Sequence, residues 1–257
     1  NGYAMGSRNV TIRSNAFNAS GAAGNDGGDI YLINVVNNLL NVSYNNFTYG
    51  NGNAVWNNGT NATVAWNNFT NVSKVAVLLD TADYSNVTSN AIANSSNLPS
   101  AGSTYGGIVF ASSLFTNASY NNISQGINGI HLSSASTAGF IAFNRISFTN
   151  NTGVFVQNSV NATVYNNTIF NITNTTANGA TNAIFFTGSS GGNASYNNVQ
   201  NVSSAGMQIA TSSNTSAAYN YFSGFGSIAL GQGRPVAAVF ITGSEYVNFS
   251  YNNVSNG

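Results

Sequence analysis

The chain contains no cysteine, so no disulfide can staple it and thiol chemistry is excluded. Only two prolines occur, Pro99 and Pro235. Charge is almost missing: five acids, five bases and one histidine in 257 residues, where an ordinary domain carries about a quarter charged residues. A chain this poor in Lys and Arg has no basic patch for a phosphate backbone, which argues against nucleic acid as a partner. No run of about 20 apolar residues is present, so this segment is not expected to insert into a membrane. A secretory leader pattern is also missing, as in a mature or trimmed product. One His, two Met and no Cys do not make a cluster for soft metals, and no cofactor is expected. No stretch sustains apolar residues at helical spacing for three turns.

What fills the chain instead is asparagine, 48 residues of it, with Ser, Thr and Gly, on a background that is 42 % hydrophobic. The apolar residues are not scattered. Ten times a six-residue pattern returns: apolar, any, usually aromatic, Asn, any, apolar. The Asn anchors are Asn15, Asn45, Asn67, Asn90, Asn121, Asn144, Asn167, Asn197, Asn220 and Asn252. Their separations are 30, 22, 23, 31, 23, 23, 30, 23 and 32 residues. A base period of 22–23 is too short for a two-helix repeat and fits one coil of a β-solenoid. The repeat runs from end to end, so residues 1–257 are read as a single domain.

Within a coil, the residue three before the anchor is always apolar and marks an inward face. Side chains alternate along a strand. By that alternation the residue one before the anchor also points inward, and its column (Tyr44, Trp66, Tyr120, Phe143, Tyr196, Tyr219 and Tyr251 among others) is expected to be a largely buried aromatic stack. The anchor Asn is expected to turn the chain, since Asn tolerates the left-handed conformation. Its amide can bond from coil to coil, as in stacked Asn ladders. A further strand follows, often led by Gly, as in Gly129-Ile130-His131-Leu132 and Gly153-Val154-Phe155-Val156. Ten such coils at about 4.8 Å give a rod of roughly 45–50 Å.

This pattern resembles the parallel β-helix repeat of the pectate-lyase-like superfold, in its NosD-like type, over essentially the whole chain. The resemblance implies an all-β, right-handed parallel β-helix. It implies little about function, because the superfold hosts lyases, hydrolases, tailspikes and surface proteins.

The four long separations expand one interval, at residues 18–28, 94–106, 171–182 and 223–236. The loops should therefore leave one edge of the rod, as tolerated surface insertions or as a binding edge. Tyr105 and Phe225 would be exposed platforms on such an edge. Polysaccharide-cutting chemistry needs paired acids or a carboxylate cage. The acids Asp26, Asp29, Asp80, Asp83 and Glu245 are scattered, as are Arg8, Arg13, Lys74, Arg145 and Arg234. Residues 80–83 read as a solvated turn in preference to a weak cation site. His131, between two inward residues, reads as a lone surface histidine. No catalytic, metal or cofactor residue is assigned.

Asn-x-Ser/Thr occurs 22 times, against about 10 by chance for this composition under the acceptor rule. Nine fall at outward positions. Asn41, Asn86, Asn117, Asn193 and Asn248 lie four before the anchor; Asn9, Asn61, Asn161 and Asn214 lie six before it. No coil carries both, a stagger that relieves crowding between sugars about 4.8 Å apart. Asn46, Asn68, Asn122 and Asn253 follow the anchor directly. These thirteen are the expected N-glycan sites; Asn166, in the supposed inward column, should be bare. A ladder of Asn, Ser and Thr without sugar is the alternative reading.

The expectation is a non-enzymatic, extracellular structural protein, a glycosylated cell-surface or filament subunit, with an archaeal host favoured by the composition. Its partners would be its own N-linked glycans and further copies of itself, stacked head to tail because neither end shows a cap. The alternatives are a carbohydrate- or partner-binding adhesin and, less favoured, a polysaccharide lyase or hydrolase.

Overall fold

A computed structural model describes residues 2–5, 9–18, 28–33, 39–95, 106–173, 181–226 and 237–255. Every strand pairing among them is parallel and joins one coil to the next. Val42, Val64, Val87, Ala118 and Ile141 lie directly above one another, as the repeat places them. The first strand of each coil ends two residues before the anchor, from Thr11–Arg13 to Asn248–Ser250, and these strands form a ten-stranded sheet. The second strand starts just after the anchor and the third follows at the Gly-led segment. In two coils they are one bent strand, Asn122–Ser133 and Arg145–Gln157, which joins both faces into an 18-stranded sheet. The chain is a single-layered parallel β-helix.

Short strands and abrupt corners come from left-handed residues stacked in columns. They sit nine, six and one before the anchor and four after it, for example Asn158, Asn161, Asn166 and Asn171 in one coil. Asn fills many of these places because its short polar side chain tolerates positive φ. The column one before the anchor is different: Tyr44, Trp66, Tyr120, Phe143, Tyr196, Tyr219 and Tyr251 all have φ between 54° and 58°. The chain therefore turns at this residue and not at the anchor itself. That turn interrupts the strand alternation, so the inward direction inferred for the column is wrong. Tyr44, Trp66, Tyr120, Tyr196 and Tyr251 are all exposed. Asn166, in the same column, is also exposed rather than buried.

The core is built from inward columns on all three strands. Val42, Val64, Val87 and Ile141 come from the first strands; Phe47, Phe69, Ile92, Ile123, Ile146 and Phe222 from the second; Ile108, Ile130, Val154 and Ile184 from the third. The buried aromatic stack lies in the second of these, two residues after the anchor. Phe17, Phe47 and Phe69 stack with centroids 4.7 Å apart and planes within 9°. The glycines before the third strand fit here because a Cβ at Gly153 would lie 2.6 Å from Ile169 Cγ2 and 2.7 Å from the Ala183 carbonyl oxygen.

Candidate functional site: the outward columns

The anchor asparagines form an unbroken ladder of amides, buried from Asn45 to Asn220. Asn67 Oδ1 accepts the backbone N–H of Asn45 at 2.9 Å and its Nδ2–H at 3.0 Å. Asn67 Nδ2 donates back to the Val42 carbonyl at 2.9 Å and forward to Asn90 Oδ1 at 3.0 Å. The same bonds recur as far as Asn220 and Asn252. Every rung donates in the direction of the next coil, so the ladder has a polarity. A serine column eight before the anchor does the same at another corner, unnoticed in the sequence. Ser189 Oγ accepts the Ser159 N–H at 3.2 Å, and Ser212 Oγ accepts the Ser189 N–H at 3.2 Å. Its signal was present as Ser113, Ser136, Ser159, Ser189, Ser212 and Ser244, at one offset in six consecutive coils.

Outside this frame lie the sequons. Asn9, Asn61, Asn161 and Asn214 are exposed in their left-handed column. Asn41, Asn193 and Asn248 are exposed, and Asn86 and Asn117 half-exposed. Asn46, Asn68, Asn122 and Asn253 are exposed, and Asn68 Nδ2 donates to Asn46 Oδ1 at 2.9 Å. A further sequon column was missed: Asn71, Asn94, Asn171 and Asn201, four after the anchor and all left-handed. Its regularity hides in the sequence because the intervening coils carry Tyr49, Gln125 and Phe148 there.

Beside the sequons, the exposed aromatic column stacks ring on ring. Tyr44 and Trp66 are 5.3 Å apart, Tyr120 and Phe143 5.0 Å, Tyr196 and Tyr219 5.0 Å, and Tyr219 and Tyr251 5.1 Å, all nearly parallel. Such pairs contribute about 0.5–1.5 kcal/mol beyond area burial, which offsets part of the roughly 1–2 kcal/mol cost of each left-handed residue. Three coils lack a ring at this position: Ser14, Ser89 and Asn166. In two of them the preceding residue takes over. The Arg13 guanidinium lies 4.8 Å over the Tyr44 ring. Tyr165 sits 5.5 Å from both Phe143 and Tyr196, edge-on. At Ser89 the preceding residue is Thr88 and no ring intervenes among the described residues. There an open trough of about 510 Å³ is lined by Tyr44, Asn45, Asn46, Trp66, Asn67, Asn68, Ser89 and Ala91.

Among the described residues the titratable groups do not converge. Asp26, Arg8, Arg234, Tyr105 and most of each insertion lie outside the described residues. Phe225 packs partly buried against the core rather than standing as a platform. Asp83 Oδ1 accepts the Leu114 N–H at 2.8 Å, and burial raises the pKa of half-buried Asp80. Among the described residues no three metal-ligating side chains come together. His131 is not a surface residue: it is 0 % exposed and stacks 4.6 Å from Phe155, which stacks on Phe185. Burial lowers its pKa to about 4, against the opposing influence of the Gln157 side chain. Asp29 is 1 % exposed, and burial raises its pKa to about 6. No helix among the described residues is long and apolar enough to cross a membrane.

Three solved structures share this architecture. A double mutant of the periplasmic alginate epimerase AlgG matches with a TM-score of 0.61 at 14 % identity, over 99 % of this chain and 70 % of that one. The Dettilon tailspike protein matches with 0.55 at 16 % identity, over 92 % of this chain and 55 % of that one. The surface protein and adhesin PfbA of Streptococcus pneumoniae matches with 0.50 at 10 % identity, over 99 % and 84 %. At such identities the likeness is one of fold, the right-handed parallel β-helix. No family model and no curated protein matches the chain.

Proposed function

We propose that this chain is a non-enzymatic β-solenoid of the cell surface or extracellular space, a scaffold that displays N-glycans in staggered columns. The observation that carries the reading is the placement of the thirteen named sequons: each is exposed or half-exposed, and they fall into three columns of one rod. A charge-poor rod gains its wetted surface from amides, hydroxyls and attached sugar instead of Lys and Glu. Further copies of itself, joined head to tail, are part of the proposal. The donor direction of the Asn ladder makes one end of the stack complementary to the other.

Site-resolved glycopeptide mass spectrometry on material from the native host tests the glycan reading. Sugar is expected at Asn41, Asn61, Asn161, Asn193 and their column mates; bare asparagine at all of them would end it. Carbohydrate or partner binding, as in an adhesin, is the second reading. The aromatic-rimmed trough at Ser89 favours it, and a glycan array on the unglycosylated protein would measure it. Turnover of a polyuronide would instead revive the enzyme reading.

A further inference from the structure

We propose that the first sugar attached to Asn68 fills the missing rung of the aromatic ladder, lying over Ser89 and Ala91 against the uncovered side of Trp66. The proposal rests on the glycan reading above and names what holds the sugar. Two independent observations converge on it.

The first is the pairing of acceptor and ring. Asn46, Asn68, Asn122 and Asn253 all have an aromatic residue two positions earlier: Tyr44, Trp66, Tyr120 and Tyr251. No acceptor sequon stands there in the coils without a ring, at Ser14, Ser89 and Asn166, which carry Ala16, Ala91 and Thr168, nor in those of Phe143, Tyr196 and Tyr219, which carry Arg145, Asn198 and Tyr221. Between ring and acceptor only the buried anchor intervenes. The left-handed turn puts the ring outward on one side of it and the strand start puts the acceptor Asn outward on the other.

The second is the vacancy. Tyr44 covers one side of Trp66. Its other side adjoins the coil of Ser89, where no ring stacks among the described residues, and Trp66 remains 54 % exposed. The next ring of the column, Tyr120, belongs to the coil beyond, two coil spacings or about 10 Å from Trp66. One flat ring between them would have a neighbour about 5 Å away on each side, the spacing found along the rest of the ladder. The trough is lined by Asn68 itself, so a sugar on that amide starts inside it. A pyranose suits the place. Its C–H face meets the electron-rich ring face, and its polar edge stays beside the Asn68 amide that carries it, in register with Ala91. Glycosylation leaves one N–H on Asn68 Nδ2, enough to keep the bond to Asn46 Oδ1.

The test uses the full chain made in a eukaryotic host that attaches N-acetylglucosamine-linked glycans. Thr70→Val removes the acceptor signal and leaves Asn68 in place. Ser89→Tyr fills the rung with a side chain that five other coils carry at this position. With glycan present at Asn68 by mass spectrometry, Thr70→Val is expected to lower the unfolding midpoint by about 2–4 °C and shift Trp66 emission. In the Ser89→Tyr background the same substitution should do neither. An equal loss in both backgrounds overturns the placement while leaving the glycan reading intact. A bare Asn68 overturns both at this site. Quenching of Trp66 by free chitobiose in the Thr70→Val protein, abolished by Ser89→Tyr, would show that the trough takes sugar from solution, and would overturn the assignment to the attached glycan.

Discussion

A buried amide ladder is only as sound as its interior rungs. Asn121 accepts from Asn90 and donates to Val87 and Asn144. Asn121→Ala removes those bonds and strands the Asn90 N–H in a dry interior. With about 1 kcal/mol per lost bond and 1–3 for an unsatisfied buried group, the loss should be about 3–5 kcal/mol. Asn252→Ala, on the last rung, should cost less than half of that. Urea denaturation of the two variants checks the ratio, and equal losses would mean the ladder contributes nothing beyond ordinary burial.

Two buried titratable residues pull in opposite directions. Asp29 has a folded pKa raised from 3.8 to about 6, so the folded state binds the proton more tightly. Its contribution is present below pH 3.8 and is lost as pH rises through 6. His131 has a folded pKa lowered from 6.5 to about 4, so stability is lost as pH falls from 6.5 toward 4. The two shifts act in opposite directions across the shared window, so from about pH 4 to 6.5 the wild-type midpoint should move less than in either single variant. Asn at position 29 (Asp29→Asn) should leave a midpoint that climbs with pH there, and His131→Gln one that falls. Thermal scans across that window decide; a level profile in both variants would refute the linkage. Few charges predict a shallow pH profile from composition alone, but burial of these two is what sets its shape.

At the scale of one element, the third strand depends on the absence of a side chain at its start. Gly129 places its α-carbon where a Cβ would meet the Gly153 carbonyl oxygen at 2.5 Å and Ile146 Cγ2 at 2.6 Å. A backbone carbonyl in the ladder cannot move aside as a flexible side chain can. Gly129→Ala is expected to destabilise the protein by about 1–3 kcal/mol, the range for overpacking, measurable as a lowered denaturation midpoint. Ala54, Ala76 and Ala183 begin the equivalent segment in other coils and are fully buried, so the cost belongs to the coil where Ile146 fills the corner. The sequence marks the Gly-led strand plainly. It does not say which coil could accept a methyl group, because that depends on the residue stacked next to it.

For the whole molecule, stacking makes stability nearly a sum over neighbouring coils, and the proposed head-to-tail assembly would extend that same stacking from one copy to the next. Under the head-to-tail proposal, Phe249→Asp puts a charge on the face where the next copy would stack, in register with Ala217. It should suppress end-to-end assembly, seen as loss of fibres by electron microscopy, with little change in the spectrum of β-structure. Wild-type protein that stays monomeric at high concentration would refute the head-to-tail proposal directly.

The period of 22–23 residues and the apolar positions flanking each anchor determined the solenoid, because only a repeat that stacks like on like can bury those positions. The sequence also located the anchor column and the outward sequons, since both follow from register alone. What it could not decide was the direction of the residue before each anchor. Strand alternation predicts an inward aromatic, but a left-handed φ at Tyr44, Trp66 and their column mates ends the alternation one residue early. Only the stacked backbone shows that turn, because the cost of positive φ in a bulky residue is offset by its neighbours in adjacent coils. The same holds for His131, whose burial comes from what surrounds it in space rather than from the strand it lies on. The vacancy beside Trp66 was equally hidden. A serine among aromatics reads as variation until Arg13 and Tyr165 are seen covering the other two gaps and no described residue covers the third.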